Sequence, residues 1–261
     1  MATKTSKQIE FTAKNVKAFT GWLKRFASID SSLLLEIDEK TSQFIAKTYN
    51  EERSVVKMSQ IRFDEAGLTT KANADPKRIK VGIFNISRLI KIIDQFNDQE
   101  FTLTVNYQDL IGDDSSVQYA GESLLLKNKT LKMNVDCTSL NIFKYISDDL
   151  FTGTIAVIDI LGEFILEKGT IEKINSLCAL DNEHRFMEFK FQDNEIIVSG
   201  KTFDLTIGEI GKENASINIF KDQYSNVDIE KYDIELGEDR LVFRSKDSDT
   251  TCVISMAVDQ D

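Results

Sequence analysis

One histidine, one proline and three cysteines are spread through 261 residues, and no apolar run is long enough to cross a bilayer. The lone His184, in Asp181-Asn182-Glu183-His184, has no second histidine or nearby cysteine, so it supports neither a metal site nor a catalytic triad. It is read as an exposed turn residue, with no metal or cofactor expected. Cys137, Cys178 and Cys252 are odd in number and far apart, which suits reduced residues of a cytoplasmic protein better than a disulfide or zinc framework. A membrane helix needs about 18 consecutive apolar residues, and nothing here approaches that. Met1 to Ile9 is polar and lacks the apolar stretch of a secretory signal. Neither GxGxxG nor GxxxxGK[ST] occurs, so no phosphate-cradling loop is proposed. Basic excess is missing too: 43 acids against 32 bases give a net charge of −11. That weighs against nucleic acid only if the bases are scattered, because phosphate binding depends on where the cations sit.

What is present is repetition. Met133-Asn134-Val135-Asp136 is echoed by Met256-Ala257-Val258-Asp259, Val81-Gly82-Ile83-Phe84 by Ile217-Asn218-Ile219-Phe220, and Gln43-Phe44-Ile45-Ala46 by Glu195-Ile196-Ile197-Val198. Runs rich in β-branched and aromatic residues predict eight strands in each half, the first near 8–12 and the last near 250–258. Helical periodicity falls at 13–29, 86–96, 169–180 and 221–227. The chain therefore reads as an α+β protein of two similar domains, each made of two β-α-β-β-β units. The first domain is placed at 1–137 and the second at 162–261. Residues 138–161 form a linker too apolar to be a disordered spacer. Gln108 to Gln118 reads as an exposed inserted loop.

The bases are not scattered. On a wheel of about 100° per residue, Val16, Phe19, Leu23, Phe26 and Ala27 share one face, with Lys14, Lys17, Lys24 and Arg25 nearly opposite. In the second helix Ile86, Leu89, Ile90 and Ile93 face one way, and Arg88 and Lys91 the other. Lys168 and Lys173 of the third helix have Glu172 between them, and Lys221 of the fourth adjoins Asp222. Solvated faces of amphipathic helices would look similar. Two basic faces at equivalent repeat positions of an acidic chain favour a surface for phosphates.

Together with these features, Trp22-Leu23-Lys24-Arg25-Phe26-Ala27-Ser28-Ile29-Asp30-Ser31, Gln43-Phe44-Ile45 and Val81-Gly82-Ile83-Phe84-Asn85 resemble the DNA sliding clamps, most nearly the two-domain clamps of T4-type bacteriophages. The resemblance implies a DNA-clamp fold with helices on the inner face and antiparallel sheets outside. It also implies a head-to-tail homotrimer that encircles duplex DNA without sequence specificity and tethers a replicative DNA polymerase, without catalysis, in the host bacterial cytoplasm. Clamp loader and late-transcription factors are further implied partners. By the same resemblance, Leu140, Ile142, Phe143 and Tyr145, with Met256, Ala257 and Val258, would form a groove for partner tails.

Other readings stay open. A monomeric processivity factor of the same fold could hold DNA by charge alone. A metal-dependent hydrolase could use Asp113-Asp114 or Asp148-Asp149, although acidic pairs in polar loops are usually solvated turns.

Overall fold

A computed structural model of the chain describes residues 7–71, 73–96, 99–111, 117–146, 148–156, 159–181, 183–209 and 214–257, with backbone alone at 148–150. The chain divides into two compact units, residues 1–48 with 59–147 and residues 49–58 with 148–261.

Unit 1 runs β1 (Lys7–Ala13), α1 (Lys17–Lys24), β2 (Leu33–Asp38), β3 (Gln43–Tyr49), β4 (Val55–Arg62), β5 (Leu68–Thr70), β6 (Arg78–Ile83), α2 (Ile86–Asp94), β7 (Phe101–Ile111), β8 (Val117–Lys127) and β9 (Lys132–Asp136), ending in a 3-10 turn at Leu140–Ile146. Residues 55–58 of β4 count with unit 2. The strand order is β3-β2-β6-β8-β7-β1-β5, with β9 also on β8 and one parallel pairing, β6 with β8.

Period-two alternation explains the layering. Phe11 and Ala13 of β1, Leu33, Leu35 and Ile37 of β2, and Ile79, Val81 and Ile83 of β6 all point into one core, which α1 and α2 cover. Phe44 sits at its centre, with ring centroids 5.4 Å from Phe11, 5.0 Å from Phe19 and 4.6 Å from Phe63. The indole Nε1 of Trp22 donates to Ser59 Oγ at 2.9 Å, so the one polar atom of that buried ring is satisfied. On the opposite face of the sheet the wholly buried Glu36 meets Lys47 Nζ at 2.9 Å and Arg78 Nε at 2.6 Å. A buried carboxylate persists only when paired in this way.

Unit 2 comprises α3 (Asp148–Ile155), β10 (Gly162–Leu166), α4 (Lys168–Leu180), β11 (Phe186–Gln192), β12 (Glu195–Ser199), β13 (Asp204–Glu209), β14 (Ala215–Phe220), α5 (Lys221–Tyr224), β15 (Tyr232–Leu236), β16 (Arg240–Ser245) and β17 (Asp249–Ser255). Two antiparallel sheets, β10-β15-β16-β17 and β13-β12-β11-β14, bury Phe164, Phe189, Phe191, Tyr232 and Phe243. Lys57, fully buried, is held by Asp228 Oδ2 at 2.8 Å and the Asn226 carbonyl at 3.0 Å.

The element order contains the β-α-β-β-β unit four times, beginning at β1, β6, β10 and β14, with β5 as an addition. Four details differ from the sequence reading. Helix α1 starts at Lys17 because Asn15 takes a left-handed φ of 53° and Lys14 N bonds Gly67 O, which ends β1 in a turn. Past Lys24 the backbone tightens, with Phe26 N bonding Leu23 O and Ala27 N bonding Lys24 O, and the apolar period persists without α-helix. Of the expected loop at 108–118, residues 108–111 and 117–118 belong to the end of a β7–β8 ladder reaching Ile111↔Val117, and 112–116 lie outside the described residues. Asp113-Asp114 lies outside the described residues. The C-terminal echo is not strand for strand, since Met133 lies within β9 whereas Met256 follows β17.

The packing around Phe44 yields a prediction. Phe44→Ala should cost about 3–5 kcal/mol of unit 1 stability, as buried Phe truncations do, measured by urea unfolding.

Candidate nucleic-acid interface

Helices α1 and α2 lie side by side on the core of unit 1. Helix α1 buries Phe19, Thr20, Trp22 and Leu23; α2 buries Ile86, Leu89, Ile90, Ile92 and Ile93. Their remaining stripes are exposed: Lys17, Ala18, Gly21 and Lys24 on α1; Ser87, Arg88, Lys91 and Asp94 on α2. A rise of 1.5 Å per residue separates Lys17 from Lys24 by about 10 Å along the axis. Among the described residues none of Lys17, Lys24, Arg88 and Lys91 forms an ion pair, so their cations face solvent.

The helix starts sharpen this. A helix N-terminus favours anions, and Asp and Glu are the usual occupants of its first turn. Neither α1, α2 nor α4 has an acid there; Lys17, Arg88 and Lys168 occupy those first turns instead. Such placement opposes the helix dipole, so helix stability does not account for it. The N-cap of α2 is met by Asn85, whose side chain accepts from Arg88 N at 2.8 Å.

The other expected cations are less uniform. Lys14 lies in the turn before α1 and pairs with Glu100 at 2.7 Å, both largely exposed, so that bond is weak. Arg25 is the half-buried C-cap of α1. Lys168 and Lys173 are exposed on α4 beside exposed Glu172. Lys221 is a correction: its side chain is 10% exposed, and Nζ donates to Asp181 Oδ2 at 2.7 Å and to the Asp181 carbonyl. The same carboxylate accepts from Lys201 N at 2.8 Å and Thr202 Oγ1 at 3.1 Å. Lys221 thus ties α5 to the end of α4. Its pairing with Lys221, aided by the other two donors, holds the Asp181 carboxyl below the usual carboxylate range.

The expected groove residues fall in both units and are described within each. In unit 1, Phe143 is buried, Leu140 half-buried, and Ile142 and Tyr145 are exposed by 43% and 39%. Thr138 N bonds Gly82 O at 2.8 Å, and a Cβ at Gly82 would stand 2.5 Å from the Thr138 carbonyl and 3.0 Å from the Phe143 ring. Glycine is therefore what lets this segment lie flat on β6. In unit 2, α3 is a helix missed by the sequence reading, with Asp148-Asp149 at its start and not in a loop. Its last carbonyls are capped by arginines of β16: Arg240 Nη1 on Thr154 O at 2.8 Å and Arg244 Nη2 on Ile155 O at 2.9 Å. Met256 is exposed, and Ala257 N bonds Asn218 O at 2.7 Å. Val258 lies outside the described residues.

Among the described residues no cluster of histidine, cysteine and carboxylates has the spacing of a metal site. Burial pushes the thiols of Cys137 and Cys252 up to about 12, far from nucleophilic at neutral pH. His184 is half-buried, edge-on to Phe186 at 5.7 Å.

Two outcomes are expected. Because the native Asp181 carboxyl is held below its unfolded value, its stabilisation is complete above the usual carboxylate range and fades as pH falls through the lowered native value. Asp181→Asn should therefore lower the thermal midpoint at pH 7, with a gap from wild type that narrows in acid. Gly82→Ala should lift residues 138–146 from β6, read as faster amide hydrogen exchange there with β2 unchanged.

No protein-family model matches the sequence, and no curated protein sequence does. Solved structures do match. PCNA of A. fulgidus, in a structure with the C-terminal region of FEN-1 bound, aligns with 97% of this chain and 100% of its own, at TM-score 0.61 and 11% identity. Proliferating cellular nuclear antigen of Entamoeba histolytica aligns over 95% and 98%, at TM-score 0.61 and 14% identity. The sliding clamp of Pseudomonas aeruginosa, DNA polymerase III subunit beta, bound to griselimycin, aligns over 98% of this chain and 66% of its own, at TM-score 0.63 and 11% identity. This chain thus spans the full PCNA chains and about two-thirds of the bacterial subunit. At such identities the likeness is one of architecture, and the architecture of this chain is the DNA sliding-clamp fold.

Proposed function

We propose that this protein is a sliding clamp, a processivity factor that encircles duplex DNA and tethers a replicative polymerase, with no catalysis of its own. The observation that carries this is the pair of exposed cationic stripes on α1 and α2, Lys17 and Lys24 on the one and Arg88 and Lys91 on the other. Such cations attract phosphates without reading bases, which permits sliding. The acidic remainder of the chain discourages contact elsewhere.

The subunit would close into a head-to-tail homotrimer. Two features support that reading: the chain spans whole PCNA subunits, and each unit has an edge strand, β9 and β13, paired on one side only among the described residues. Heterologous joining of unlike edges closes a ring when the rotation is right. Partner tails, like the FEN-1 C-terminal region on the archaeal protein, would engage the exposed Ile142 and Tyr145 of the linker turn. Clamp loader and late-transcription factors belong to the same proposal, as do a T4-type phage origin and the host cytoplasm.

Light scattering should give three times the 29.6 kDa chain mass. A stable monomer with salt-sensitive DNA affinity would favour the monomeric alternative. Reversing Lys17, Lys24 and Arg88 to Glu should abolish retention on circular duplex DNA and flatten the salt dependence by about 0.9 in log–log slope per lost phosphate contact, leaving mass unchanged. Undiminished retention would overturn the assignment of these faces.

A further inference from the structure

Of the 17 phenylalanines Phe84 alone is exposed, by 68%. It follows Ile83, the last core residue of β6, as Phe220 follows Ile219 in β14. The two places are equivalent in the internal repeat. Ile83 pairs with Leu33 at the start of β2, and Ile219 with Met187 in β11. Just beyond, Ile86 N bonds Ser31 O at 2.8 Å, and Lys221 N bonds Arg185 O at 2.9 Å.

What lies over the two rings differs. Phe220 is half-buried: Phe186, directly opposite it in the ladder, has its ring centroid 4.7 Å away at a tilt of 33°, and the Arg185 guanidinium lies over Phe220 at 5.6 Å. In unit 1 the corresponding residues, those before Leu33, are Ser31 and Ser32. Both are too small to cover a ring. The Ser32 hydroxyl is turned to Asp30 Oδ1, which also accepts from Ser32 N at 2.6 Å. Among the described residues no ring or cation stands on Phe84. Helix α2 does not account for the phenylalanine either. An apolar residue before an N-cap usually packs on the fourth helical residue, here the buried Leu89, yet Phe84 stays open.

We propose that Phe84 is a docking point for a partner protein, filled by an aromatic side chain preceded by arginine, the pair that Arg185 and Phe186 supply in unit 2. Tilted rings with centroids about 4.5–7 Å apart attract beyond the area they bury, and a guanidinium is drawn to a ring face. The small serines leave the room that such a pair needs. Charge does not name the occupant, since Asp30 precedes the serines and Arg88 follows the ring, one of each sign. The internal repeat names it, by showing which side chains complete the same place. This docking goes beyond the clamp reading and needs neither ring closure nor DNA.

The test uses the full chain and the peptide Gly-Ser-Arg-Phe-Ser-Gly with a fluorine label on its phenylalanine ring, followed by fluorine NMR line broadening. Wild type should broaden the line. Phe84→Ala, at an exposed position, should weaken binding by about tenfold, the loss of one ring pair and the cation on it. Ser31→Arg combined with Ser32→Phe transplants the unit 2 cover and should abolish broadening, with duplex DNA affinity as in wild type. If that variant misfolds, Phe84→Ala decides alone. Lys17→Glu with Lys24→Glu should leave peptide binding unchanged, which separates this proposal from the clamp reading. A line left sharp by wild type, or broadened equally by Phe84→Ala, would overturn it.

Discussion

The structure of unit 1 depends on two short helices burying their apolar stripes on one face of one sheet. Lys17–Lys24 and Ile86–Asp94 are each too short to be stable alone, since isolated helices below about 12 residues are marginal in water. They persist because Phe19, Trp22 and Leu23, with Leu89, Ile90 and Ile93, share a core with Phe11, Phe44 and Val81. That burial fixes the rotation of each helix about its axis. Once the rotation is fixed, Lys17, Lys24, Arg88 and Lys91 can only face outward. The cationic surface is thus a consequence of the core.

The same constraint separates two kinds of positive charge. Cations on the helices project from the covered side of the sheet, and Lys127 and Lys132 project from the other, because strand neighbours alternate faces. A count of bases would merge them. In unit 2 the helix positions carry less outward charge, with Glu172 diluting α4 and Lys221 engaged by Asp181.

Much of the fold was legible because its signals are local. Runs of strand-forming residues located β2 at Leu33–Asp38 and β8 at Val117–Lys127, and period 3.6 located α2 and α4. Boundaries that depend on distant partners were not legible. The start of α1 is set by Gly67 accepting from Lys14 N, and α3 is held by Arg240 and Arg244, more than 80 residues away. Nothing in Asp148–Ile155 alone announces those caps.

The sequence by itself determined the fourfold β-α-β-β-β order and which helix faces are basic, since both follow from residue spacing along one element. Only the tertiary structure decided which cations remain outward. Lys221 reads like Lys168 in sequence, yet it is drawn inward by a carboxylate 40 residues earlier. Lys127 and Lys132 are unremarkable in sequence, and strand register alone sets them face to face. A side chain's charge is local information, but its partner is chosen by packing between segments far apart in the chain.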